Sequence, residues 1–277
     1  MPLNYEQVAN TLSIFLQEDL GRGDLTAPLL AGRQGAGVYL AKTTGVIAGL
    51  QIPAFLYRLL GANISYRPLV QEGQSIQAGT PIAEASGDLA MLLAVERLSL
   101  NLMQRLSGIA TATKQAVDTL ADPSIQILDT RKTAPGLRIF DKYAVRVGGG
   151  VNHRLGLDDM AMLKDNHWAA VGDLSKAIQL LRRVNGPTKM IEVECETKAQ
   201  VQQAIAAKAD IIMFDNQTPA TVKAWQQLIP AGIQTEVSGG IELDNLHDYS
   251  GCGADSLSLG YLTNRVVNLD ISFNQKK

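Results

Sequence analysis

The residues best suited to chemistry lie within positions 127–167, ILDTRKTAPGLRIFDKYAVRVGGGVNHRLGLDDMAMLKDNH. This stretch holds seven Lys/Arg (Arg131, Lys132, Arg138, Lys142, Arg146, Arg154 and Lys164) and five acids. Its balance of +2, seven minus five, contrasts with −2 for the whole chain. Guanidinium groups clustered in this way suit bidentate capture of carboxylate or phosphate. Any one of these cations alone reads as a surface charge; gathered on loops beside strand ends, they read as an anion site. His153 beside Arg154 suits a ligand role, and a cap or a packed imidazole equally. His167 lies past a strand end and reads as structural. Gly148, Gly149 and Gly150 serve either as a flexible connection or as a place where backbone approaches an anion.

A second group is acidic. Glu192 and Glu194 alternate in IEVEC, so a strand there sends both to one face. Asp215 closes the next apolar run, IIMFD, which sets it beside Glu194 if the two runs are neighbouring strands. Such a carboxylate pair suits Mg²⁺ or the hydroxyls of a ribose; the plainer alternative is an ion pair with Lys164 or Arg131. A third group is glycine-rich: Ser238-Gly239-Gly240, and Gly260 ahead of Thr263 and Asn264. Turns of this kind either hold phosphate on backbone N–H groups or simply turn the chain. No nucleophile elbow and no G-x-G-x-x-G after a strand is found. The inventory is one of electrostatic binding, without a covalent nucleophile.

These groups need a scaffold that brings them together. Short apolar runs are expected as strands at 125–129, 160–164, 189–195, 209–215, 234–238 and 255–259. Helical patterns between them fall at 173–184, 198–207, 220–228 and 243–249. Strand–helix alternation implies a parallel sheet. About six units, with polar residues at strand C-terminal ends, favour an incomplete (β/α) barrel with its chemistry at that face; an open doubly wound sheet is the alternative. The chain before this region reads differently. Tyr5, Val8, Leu12, Phe15 and Leu16 share one helical face. Residues 69–87 carry the turn signals of short hairpin pieces, and 89–103 reads as a helix. The 69–87 stretch resembles a biotinyl/lipoyl hammerhead, but no lysine stands where the prosthetic group would be carried. The expected division is an N-terminal α/β domain over 1–110 and a barrel domain over 111–277, whose last residues are expected to return to the first domain.

Bulk properties narrow the class. A length of 277 residues, 46% hydrophobic, suits a globular protein of about two domains. The small negative net charge gives no global field for nucleic acid or an anionic membrane. No apolar run reaches the ~18–20 residues of a membrane span. The N-terminal residues lack the features of a signal peptide. Cys195 and Cys252 form no disulfide framework and no metal spacing, which fits reduced thiols in a cytoplasmic protein.

In order along the chain, these motifs resemble the quinolinate phosphoribosyltransferase (nicotinate-nucleotide pyrophosphorylase, carboxylating) family. The resemblance runs from Glu18-Asp-Leu-Gly-Arg-Gly-Asp24-Leu-Thr26 through Glu96-Arg97, Asp129-Thr-Arg-Lys-Thr133 and His153-Arg154. It continues with Lys164-Asp-Asn-His167, Glu192-Val-Glu194 and Asp215-Asn216, and ends at Ser238-Gly239-Gly240. It implies an N-terminal α/β sandwich, a partly open (β/α) barrel, and a homodimer, or a higher oligomer built from it. It also implies phosphoribosyl transfer from phosphoribosyl pyrophosphate to quinolinate, with loss of CO₂ and formation of nicotinate mononucleotide and pyrophosphate. By the same resemblance, Arg131, Lys132, His153, Arg154 and Lys164 line the quinolinate pocket. Arg97 reaches in from the neighbouring subunit, completing a shared active site. Glu194 and Asp215 face the ribose and Mg²⁺, directly or through water, and with Lys132 they are the catalytic candidates. Ser238, Gly239, Gly240 and Gly260 hold phosphate. One departure stands out: Thr263-Asn264-Arg265 replaces the family's usual Thr-His. Two relatives are alternatives: a same-fold protein of molybdenum-transport loci, in which the Lys-Asp-Asn-His segment is altered, and nicotinate phosphoribosyltransferase, whose one-carboxylate substrate needs fewer cations.

Overall fold

The computed structural model describes residues 3–276. The chain divides into two compact units, one comprising residues up to Lys114, Ala134–Gly149 and Arg265 onward, the other Gln115–Thr133 and Gly150–Asn264.

The first unit opens with α1 (Tyr5–Leu20), started by the Asn4 side chain, which accepts the Glu6 N–H at 3.0 Å. Val8, Leu12 and Leu16, spaced four apart, form the buried stripe that the sequence pattern predicts. After it come β1 (Gln34–Ala41), β2 (Gly45–Val46), α2 (Ile52–Leu59), β3 (Ser65–Pro68), β4 (Ser75–Ile76) and β5 (Pro81–Asp88). The expected hairpin pieces of 69–87 are thus real strands, β4 pairing antiparallel with β2, and β5 with β1 and β3. The long helix α3 (Leu89–Leu120) runs well beyond the expected 89–103. Its hydroxyl residues do not end it, because Thr111 and Thr113 donate back to the carbonyls of Ser107 and Ile109.

In the second unit, β6 (Gln126–Leu128) follows; α4 (Arg138–Val147) belongs to the first unit. Gly148, at the end of α4, has a packing reason: a Cβ there would stand 2.4 Å from the Ala110 carbonyl oxygen. Next come β7 (Ala161–Leu163), α5 (Asp165–Val171), α6 (Leu174–Asn185), β8 (Ile191–Cys195), α7 (Lys198–Ala206), β9 (Ile211–Asp215), α8 (Pro219–Gln226), β10 (Gln234–Ser238), β11 (Ser256–Ser258) and α9 (Tyr261–Asn264). The last strand, β12 (Ile271–Gln275), pairs with β1 in the first unit, whose four-stranded sheet has the order β12-β1-β5-β3. A helix expected at 243–249 is only a 3₁₀ turn, Leu246–Tyr249. The Asn245 side chain accepts from the Glu242 N–H and donates to the Gly240 carbonyl, so it competes with helical bonding.

The six strands β6 to β11 form one wholly parallel sheet of order β6-β11-β10-β9-β8-β7. A closed barrel would also join β6 to β7, and among the described residues no ladder does so. Instead Val151 bridges to Leu128 along the outer edge of β6, its N–H donating to the Ile127 carbonyl and its own carbonyl accepting from Asp129. The incomplete barrel therefore has the segment carrying His153 and Arg154 at its opening.

Candidate active site

A cavity of about 440 Å³ lies at the C-terminal ends of these strands. Each strand delivers its side chains through the alternation of the pleat and the loop that follows. Arg131 and Lys132 arrive after β6, Lys164 caps β7, Glu194 points inward from β8, Asp215 ends β9, and Ser238, Gly239 and Gly240 follow β10. His153 and Arg154 complete the wall. The structure thus brings together every expected site residue but two. Gly260 lies outside the lining, but the Lys132 chain passes over it: a Cβ at 260 would meet Lys132 Cδ at 3.2 Å. Arg97 is exposed on α3 in the first unit and lines no part of this cavity. Asn264 stands next to Gly260, to whose carbonyl its N–H donates at 3.2 Å, whereas Arg265 falls in the first unit.

The cations are held in two ways. The Arg154 guanidinium donates to the Met160 carbonyl at 2.8 Å and to Met162 Sδ at 3.5 Å. Burial, then the neighbouring Arg131, holds Arg154 below the usual arginine value. Two guanidinium groups that disfavour one another's charge are relieved by an anion placed between them. Arg131 Nε is buried and without a hydrogen-bond partner, a donor suited to an anionic acceptor. Lys164, by contrast, is already paired, its Nζ 2.5 Å from Glu194 Oε2. The ion-pair alternative for Glu194 is therefore seen, and it leaves Glu194 facing the cavity. His167 takes a structural part, its Nδ1 accepting the Lys164 N–H at 3.0 Å.

On the acidic side, burial, then Glu194 and Glu196, raises the Asp215 carboxyl above its ordinary value, against the pull of Lys164 and Lys132. Crowded oxygen donors of this kind fit a hard divalent cation, which would relieve their repulsion. Asn216 ties the acid to the glycine turn. Its side chain donates to Asp215 Oδ2 at 2.6 Å and its N–H to the Ser238 carbonyl at 2.8 Å. Gly239 sits at φ +88, where a Cβ would come 2.2 Å from Asn216 Oδ1, so glycine is required for both conformation and space.

Around His153 lies a cluster that adds Glu236 and Ser258 to the residues expected at the site. His153 Nε2 stands 3.1 Å from Glu192 Oε2 and 3.3 Å from Glu236 Oε2. Ser258 donates to the other Glu236 oxygen at 2.5 Å. The His153 Nδ1 accepts the Arg154 N–H at 2.7 Å, so the ring proton sits on Nε2 and points at the carboxylates. Burial opposes charge on this ring and the two glutamates pull its pKa upward, but a nitrogen that accepts the Arg154 N–H carries no proton, so the ring here is the neutral Nε2–H form. Burial likewise pushes Glu192 up to about 7. Asp129, fully buried, anchors the segment by accepting from the His153 N–H and the Asn152 amide. Glu236 precedes Ser238 by two residues on one strand, so period-two alternation was the signal that could have found it.

Family models place this chain. Residues 24–107 match the quinolinate phosphoribosyl transferase N-terminal domain, and residues 109–274 the C-terminal domain. The probable nicotinate-nucleotide pyrophosphorylase [carboxylating] of Bacillus subtilis is 48% identical over 273 residues, covering 98% of this chain and 94% of that protein. The nicotinate-nucleotide pyrophosphorylase [carboxylating] of Mycobacterium leprae is 39% identical, covering 98% of each. The solved structure of NadC from Streptococcus pyogenes superposes with a TM-score of 0.94 at 38% identity over the full length of both chains.

Proposed function

We propose a division of labour within the cavity from one premise: the chain belongs to the quinolinate phosphoribosyl transferase family. It is a pentosyltransferase of NAD biosynthesis, joining quinolinate to phosphoribosyl pyrophosphate with loss of CO₂. Quinolinate is a dianion, and the observation that carries the assignment of its pocket is the pair Arg131 and Arg154, one partnerless at Nε and the other destabilised as a cation by burial and then by its neighbour. These two, with Lys132 and Lys164, hold the pyridine carboxylates above the His153 ring. Ser238, Gly239, Gly240 and Gly260 turn backbone toward the phosphates.

Glu194 and Asp215 face the ribose. As the C1′–O bond to pyrophosphate breaks, positive charge develops on the ribose, and these carboxylates stabilise it. The pyridine nitrogen attacks C1′. The 2-carboxylate then leaves as CO₂, its bonding pair resting on C2 beside the cationic ring nitrogen until a proton replaces it. The cations keep the ring oriented throughout. Mg²⁺ held by Glu194 and Asp215, directly or through water, would neutralise the departing pyrophosphate.

The active form is a homodimer in which Arg97 of one subunit serves the cavity of the other. Its exposure on α3 supports this, as do the exposed apolar Leu25 and Leu29 in the first unit. Free, buried Cys195 and Cys252 support a cytoplasmic setting. Among the described residues no helix is long and apolar enough to cross a membrane. The deciding assay is formation of nicotinate mononucleotide from quinolinate, with nicotinate as comparison. Turnover of nicotinate in preference to quinolinate would overturn the dicarboxylate pocket.

A further inference from the structure

A pocket for a dianion should not have buried carboxylates beneath it, yet Glu192 is fully buried and Glu236 is 2% exposed and lines the cavity. Isolated buried carboxylates would repel the substrate and carry a heavy desolvation cost. Here both are turned onto one imidazole. The His153 ring, 8% exposed, lies within 3.1 and 3.3 Å of them. A serine hydroxyl takes the remaining Glu236 oxygen. The ring's other nitrogen receives the Arg154 N–H, so whatever fixes the ring also fixes the start of the arginine that faces the cavity.

We propose that Glu192 and Glu236 are positioning residues for quinolinate capture: they clamp His153 from beneath and so set Arg154, while His153 screens them from the dianion. This rests on the reading that the carboxylates of quinolinate sit among Arg131, Arg154, Lys132 and Lys164. The trio also has donor types that could hold a metal, its ligand atoms lying within 4.8 Å of one another. The tautomer argues otherwise. With Nδ1 accepting an amide proton, Nε2 carries the hydrogen and has no lone pair to offer a metal ion.

The test compares quinolinate and phosphoribosyl pyrophosphate affinities by calorimetry in Glu236→Gln, Glu236→Leu, Glu192→Leu, Ser258→Ala, His153→Asn and the double variant His153→Asn/Glu236→Leu. The leucine variants are expected to weaken quinolinate by about tenfold or more, as loss of a buried charged hydrogen bond does. Phosphoribosyl pyrophosphate affinity should stay within about twofold, and the glutamine variant should fall between, since it keeps one acceptor. The double variant should bind no worse than His153→Asn, because the glutamate acts through the histidine. If the leucine variants do not fold, Ser258→Ala, which removes only the hydroxyl bond to Glu236, should still weaken quinolinate selectively by about threefold. Wild-type quinolinate affinity in folded variants, equal loss of both ligands, or multiplying losses in the double variant would overturn the proposal. So would zinc bound one per chain in the wild type and lost in Glu236→Leu. Arg154→Ala separates the two levels: if it binds quinolinate normally, the pocket assignment itself fails; if it alone is weak, only the clamp does.

Discussion

At the scale of single residues, the cavity is a competition between cations that need an anion and carboxylates that need a cation. Arg131→Ala and Arg154→Ala should therefore weaken quinolinate far more than phosphoribosyl pyrophosphate. Each loss should be about 2–5 kcal/mol, the usual cost of truncating one partner of a desolvated charge pair. Calorimetric titration of both ligands checks this, and equal losses would refute the assignment. On the acidic side, Asp215→Asn should lower turnover more than it weakens quinolinate binding, and activity should vanish in excess chelator; full activity without a divalent cation would exclude the metal role. Most of these residues were legible in the sequence, because clustered Arg and Lys are conspicuous in a chain of net charge −2. Glu236 was not. A lone acid within Gln234–Ser238, it reads as an ordinary strand residue until the fold turns His153, from far earlier in the chain, onto it.

At the scale of elements, the positions of the parallel strands were legible from apolar runs, and their ends differ from expectation by no more than two residues. The long α3 and the 3₁₀ turn at Leu246–Tyr249 were not, because both depend on side chains bonding the local backbone. The turn after β10 shows how an element can be decided by its neighbour. It is locked to the end of β9 through Asn216, itself at a left-handed φ of 53. Gly239→Ala should strain this lock from both sides, lowering stability by about 1–3 kcal/mol. Phosphoribosyl pyrophosphate affinity should fall more than quinolinate affinity, as measured by thermal melts and titration. Pairing the change with Asn216→Gly removes the colliding side chain and should recover part of the stability; no recovery would show that strain at φ +88 alone is responsible.

At the scale of the whole molecule, the sequence conveyed two architectures, but not that a short segment after β6, Ala134–Gly149, belongs with the first unit. Membership of that kind is set by long-range packing, such as the contact of Gly148 with the Ala110 backbone, which no local pattern encodes. Assembly can be read by mixing. Arg97→Ala and Lys132→Ala, each inactive alone, should regain about a quarter of wild-type activity when their subunits exchange at random, since each mixed dimer then holds one intact site. No recovery after verified exchange would place Arg97 in its own chain's chemistry or in none. The unjoined strands β6 and β7 have a consequence of another kind. The barrel has a seam, and its stitches are the Val151 backbone on one lip and the Arg154 guanidinium on the Met160 carbonyl at the other. Amide hydrogen exchange should accordingly be slowest in β8, β9, β10 and β11, which are paired on both sides, and fastest along the lips. Bound quinolinate should slow the lips most, so that the substrate acts as the fastener of a fold that its own sequence leaves unbuttoned.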